Sequence, residues 1–215
     1  MNEPPHEPLT VWRFIRRNFV RIVIGAVLVA IVYGCMTVAI PSLRDRRIAR
    51  QIIALGGDAS FHNGDPDWIP HSMQSSLPFL ARLTNINLEN FDLTDEAALS
   101  DLLSEIGSLH RLDFLDLSGT RITDMGLVQL KGLTNLETLK LSRTEVTDGG
   151  LKHLKGLARL DWLDLSNSQV TDVGLEHLRA MTSLTFLELI ETQTTAEGRA
   201  LLRKALPGCK IWPDP

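Results

Sequence analysis

The chain has 215 residues, 44% of them apolar and 22% charged, an ordinary balance for a folded protein that excludes global disorder. Its net charge of −4 hides an asymmetry: residues 1–83 carry nine arginines against six acids, +3, and residues 84–215 carry thirteen Lys/Arg against twenty acids, −7. An acidic second part excludes general nucleic-acid binding, which needs a basic footprint, and two cysteines, Cys35 and Cys209, suggest no disulfide framework.

In chain order, residues 1–18 read as a disordered tail, rich in proline at its start and basic at its end through Arg13, Arg16 and Arg17. Residues 19–42 are expected to form a transmembrane helix. Their centre, Ile22 to Ile40, runs 19 residues without a charge, and as a helix it spans about 28 Å, close to the hydrocarbon thickness of a bilayer. No small-x-small cleavage site follows it. Val32-Tyr33-Gly34-Cys35 loosely resembles a lipoprotein signal, but Tyr33 fits poorly and the apolar run continues beyond Cys35. Four arginines on each side leave the positive-inside rule tied. A short basic tail is the usual form of an N-inside signal anchor, which places the rest of the chain outside the cytoplasm. Ala26, Ala30 and Gly34 share one face of the span and offer a surface for homodimer contact.

Residues 43–82 are expected to be a juxtamembrane helix, Leu43 to Leu55 ended by Gly56-Gly57, and then an N-terminal cap. Residues 58–78 read as a polar loop in which Trp68, Ile69 and Leu77 fold back on the domain. Asp65, Asp67, His62 and His71 lie in that loop without a recognisable ligand spacing, so no metal site is assigned.

From Leu109 to Ala180 a pattern recurs three times with a period of 24 residues: LHRLDFLDLSGTRITDMGLVQLKG, LTNLETLKLSRTEVTDGGLKHLKG and LARLDWLDLSNSQVTDVGLEHLRA. A fixed period of this length signals a solenoid. An irregular copy precedes these. Leu83-Thr-Asn-Ile86-Asn-Leu88 matches the strand pattern, and Leu93-Thr94-Asp95 matches Ile122-Thr123-Asp124 at an offset of 29, which predicts a longer helix over Glu96–Ile106. A degenerate copy follows at Met181–Lys204, with Thr195-Ala196 in place of Thr-Asp, and Leu206–Ile211 reads as a closing strand. Within each copy, apolar residues spaced three and two apart, as Leu112, Leu115 and Leu117, predict a short strand. The Thr-Asp pair then caps a short helix carrying Gly-Leu-x-x-Leu. The helix glycine is poor for propensity and implies close packing between successive coils. No copy buries its leucines alone, so the coils must stack, with strands in a parallel sheet on one side and helices on the other.

Leu112-Asp-Phe-Leu115-Asp-Leu117-Ser-Gly-Thr120-Arg-Ile122 resembles the leucine-rich repeat strand motif, L-x-x-L-x-L-x-x-N/C-x-L. The I-T-D-x-G-L segment looks like the cysteine-containing subtype found in F-box proteins and related bacterial proteins. No F-box precedes the repeats, and the likeness is closer to a bacterial membrane-anchored repeat protein. The resemblance implies an α/β fold, a right-handed strand-turn-helix solenoid over residues 83–212 with a concave parallel sheet. The Asn/Cys position holds Thr120, Thr144, Ser168 and Thr192, whose hydroxyls are expected to supply the ladder of hydrogen bonds that this position provides in the family.

The resemblance also places ligands on the concave face, and that face is read by columns. Asp113-Phe114, Glu137, Asp161-Trp162 and Phe186, with Asp116, Lys140, Asp164 and Glu188, make an aromatic column beside an acidic one. Aromatics in a row on a surface mark a protein partner, and the acids select a basic or polar one. His153 and His177 recur at one helix position as copies of a template, with no third ligand. Nothing resembles a nucleophile elbow, a phosphate loop or a paired-carboxylate site, so no catalytic residue, metal or cofactor is assigned. The expected function is protein recognition from a membrane anchor; the alternative is an envelope or surface scaffold without a dedicated ligand.

Overall fold

The computed structural model describes residues 43–63, 81–91 and 96–214. The tail, the span expected at residues 19–42, the small-residue face and Cys35 lie outside them, as do Trp68, Ile69 and Leu77. Among the described residues no helix is long and apolar enough to cross a membrane.

Residues 43–54 are helical. Ile48, Ala49 and Ile52 lie on the buried face of this helix and belong to the core of the repeats. Residues 58–78 had been expected to be loop, but Asp58–Asn63 is a strand, β1. It pairs antiparallel with β2, Ala81–Asn87, with a bulge between Ser60 and Phe61. Its sequence, DASFHN, has no apolar period to betray it. The backbone of β2 needs partners along its outer edge, and β1 supplies them.

The sheet then runs in strict sequence order through β3 (Phe114–Asp116), β4 (Thr138–Lys140), β5 (Trp162–Asp164), β6 (Phe186–Glu188) and β7 (Lys210–Trp212), every step parallel. Each strand is three residues long and its middle residue, Leu115, Leu139, Leu163, Leu187 or Ile211, is buried. Between strands the chain crosses through helices: Glu96–Ile106, Asp124–Gln129, Asp148–Leu151, Asp172–Leu178 and Ala196–Ala205. The longer opening coil puts its five extra residues into Glu96–Ile106. Strand leucines and helix leucines meet in one continuous core from Ile48 to Ile211.

Two columns behave differently from their sequence reading. Thr120, Thr144, Ser168 and Thr192 do not join successive coils through their hydroxyls. Each donates to the carbonyl three residues back, of Leu117, Leu141, Leu165 and Leu189, at 2.6–2.8 Å, closing the turn of its own coil. Joining is done by the Thr-Asp pair. Thr147, Thr171 and Thr195 cap their own helices, while the aspartates reach forward to the next coil. Asp124 accepts from Thr147 N and Oγ1 at 2.8 and 2.7 Å, Asp148 from Thr171 at 2.7 and 2.6 Å, and Asp172 from Thr195 at 2.8 and 2.7 Å.

Candidate partner-binding face

Side chains of a strand alternate between faces, so each buried middle residue leaves its two neighbours on the open side of the sheet. Strand register sorts them into two columns. The first is Asn85, Phe114, Thr138, Trp162, Phe186 and Lys210; the second is Asn87, Asp116, Lys140, Asp164, Glu188 and Trp212. Asp113, Glu137 and Asp161 precede the strands by one residue and line their entrances.

The aromatic column is real but interrupted. Trp162 and Phe186 are T-shaped, 5.4 Å between centroids at 71°, the edge-to-face arrangement that ring quadrupoles favour. Phe114 is separated from them by Thr138, and the gap is bridged by Lys140, whose Nζ lies 5.6 Å from the Phe114 ring and 5.7 Å from that of Trp162. The same ammonium is 3.6 Å from Asp116 Oδ2. Lys140 is thus held on three sides.

The acids divide by what already holds them. Asp116 is buried, and beyond Lys140 it accepts from the Ser118 N–H at 2.9 Å. Asp164 accepts from the Ser166 N–H at 2.9 Å, so both strand aspartates help shape the turn that follows. Glu137 pairs with Arg159 at 2.7 Å, and Asp161 accepts from the Thr185 hydroxyl at 2.6 Å. Glu188 is held above the usual carboxylate range, first by desolvation and then by the neighbouring Asp164 charge; the Trp162 side-chain hydrogen bond and Lys140 oppose the rise.

Seven of the expected residues therefore share the two columns: Phe114, Asp116, Lys140, Asp164, Trp162, Phe186 and Glu188. Two further contributors went unread in the sequence, Lys210 and Trp212 of β7. Their signal is the same offset of 24 from Phe186 and Glu188, obscured because the repeat text has decayed by then. Trp212 is 50% exposed, against 38% for Trp162, and it extends the aromatic surface to the end of the stack. At the other end Asp58, Ser60, Asn85, Asn87 and Phe114 border a polar hollow of about 180 Å³. A larger one, about 320 Å³, lies on the helix side between Leu99, Leu103, Ile122 and Met125. It marks the seam where the long opening helix meets the first regular coil. Its lining also includes Ser100, Arg121, Thr123, Gln129 and Glu145, but no aromatic ring of the kind that the open face of the sheet presents.

The leucine-rich repeat model matches residues 110–170. No curated protein matches the chain. Among solved structures, an internalin from Listeria monocytogenes is similar at 28% identity and TM-score 0.44, over 51% of this chain and 30% of that one. A second Listeria monocytogenes internalin is similar at 27% identity and TM-score 0.46, over 62% of each chain. A leucine-rich repeat protein from Leptospira interrogans follows at 26% identity and TM-score 0.37, over 50% of this chain and 33% of that one. In each case the chain spans less than two thirds of the protein it matches. The family match, over residues 110–170, falls on coils whose leucines build the core, and strand-helix coils continue on both sides of that stretch.

Proposed function

We propose that the protein recognises a protein partner through the open face of its sheet, with Trp162 at the centre. The observation that carries this is the setting of Trp162. It is 38% exposed at the middle of six parallel strands, yet fixed by Phe186 on one side, Lys140 on another and a side-chain hydrogen bond to Glu188. A rigid, partly exposed tryptophan surrounded by charges matches the composition of a binding hot spot. A photo-crosslinker at Thr138 on this face, compared with one at Lys152 on the helix side, identifies the partner. Trp162→Ala is then expected to weaken that partner's affinity about tenfold or more. Unchanged affinity in Trp162→Ala with Phe186→Ala would remove this face as the site.

The uncharged run at residues 22–40 supports a membrane span, and from the short basic tail before it we propose that the repeats are displayed outside the cytoplasm. Ala26, Ala30 and Gly34 are the proposed homodimer contact within that span. External protease is expected to cleave the repeats in intact cells. Protection until lysis would reverse the orientation.

A further inference from the structure

The open face contains a cation site that the chain fills with its own lysine, and one strand further on the same elements recur without an ion-paired lysine or arginine among the described residues. At the first position an ammonium, Lys140 Nζ, lies over Phe114 and Trp162 and 3.6 Å from Asp116. At the second, Asp164 and Glu188 are register neighbours, Trp162 and Phe186 pack together beside them, and Trp212 pairs in register with Glu188. Counted down the second column, Asp116, Lys140, Asp164 and Glu188 set three carboxyl groups against one amine, and that one lysine is engaged by Asp116. Lys210 stands beyond Phe186 in the other column and forms no ion pair among the described residues.

We propose that Asp164 and Glu188, bounded by Trp162, Phe186 and Trp212, form a subsite for one arginine or lysine side chain of the protein partner. The carboxylates would meet its charge and the exposed indoles its flat or alkyl surface, as Phe114, Trp162 and Asp116 do for Lys140. This assignment rests on the face being the recognition surface, and it adds the chemistry that surface selects.

The test uses the full chain in detergent micelles with its four tryptophans replaced by 5-fluorotryptophan, followed by fluorine NMR. N-acetyl-arginine amide is titrated against N-acetyl-citrulline amide, which has nearly the same shape without the charge. The Trp162 and Trp212 resonances, assigned by single Trp→Phe variants, are expected to shift saturably with the arginine probe and not with citrulline. In Asp164→Asn with Glu188→Gln the arginine affinity is expected to fall about tenfold. Retained dispersion of the fluorine spectrum shows that this variant is folded. Equal response to citrulline, no response to arginine, or full response in the double variant would each overturn the subsite. A partner lost on Trp162→Ala, from a face that ignores the arginine probe, would leave recognition by the face standing and remove only its cationic specificity.

Discussion

Asp124, Asp148 and Asp172 show how one residue type per coil can hold a stack together. Each carboxylate takes both donors of the next coil's threonine, and the glycine of that next coil makes room for it. A Cβ on Gly150 would stand 2.5 Å from Asp124 Oδ1 and 2.9 Å from Leu127 Cδ1; Gly174 and Gly198 face Asp148 and Asp172 in the same way. In the coil that runs into β7 the aspartate position holds Ala196, which has no carboxylate to reach forward. Two effects compete in Gly150→Ala. Alanine is the better helix former by about 1 kcal/mol, but its methyl displaces a carboxylate whose two hydrogen bonds are together worth about 2–3 kcal/mol. The displacement wins, and Gly150→Ala is expected to destabilise by about 2 kcal/mol in chemical denaturation. In an Asp124→Ala background most of that cost should vanish, leaving a coupling energy of at least about 1 kcal/mol. Strictly additive changes would show that the carboxylate is not what the glycine accommodates.

At the level of elements, the regular coils were legible because their signal is apolar spacing, and apolar spacing is what the core reads. Leu115, Leu139 and Leu163 are buried where the pattern put them. Less legible was anything that depends on two coils at once. The Thr-Asp pair reads as a helix cap within one repeat, and only the stacked neighbour shows that the aspartate serves the next coil. The turn after each strand requires a left-handed residue at Asn90, Gly119, Arg143, Asn167 and Glu191. Glycine and asparagine announce that conformation; Arg143 and Glu191 do not, and register with their neighbours imposes it. Strand β1 was illegible for a related reason. It is an edge whose warrant is the backbone pairing of β2, not an apolar face of its own. On the binding face, Trp162 was found by its column, whereas Trp212 required the column to be followed past the point where leucines still mark it.

Across the whole molecule, each coil touches only its neighbours, so stability should behave as coil terms plus interface terms and not as one indivisible transition. The ends offer a direct test. At the C-terminal end Cys209 is buried, and its thiol is pushed up to about 11 by burial first and the Asp161 charge second. Only the thiolate attacks a disulfide reagent, so near pH 8 the folded Cys209 is doubly protected and its labelling reports local opening. Leu206 is buried beside it in sequence, and Ile52 is buried at the far end, in the helix over residues 43–54. Either truncation to alanine costs about 2–4 kcal/mol locally. If opening were global, both would accelerate Cys209 labelling by a similar factor. If the stack frays from its ends, Leu206→Ala should accelerate it about thirtyfold or more, while Ile52→Ala should leave the rate unchanged within about twofold. The measurement is made in a Cys35→Ser background, so that Cys209 is the sole thiol. The continuous leucine core favours coupling between the ends. Against it stands the sheet, in which about 24 Å separates β2 from β7 at the usual strand spacing and every link between them runs through a single neighbour at a time. That geometry makes fraying the expected result, and equal acceleration by the two variants would show that the core transmits opening from end to end.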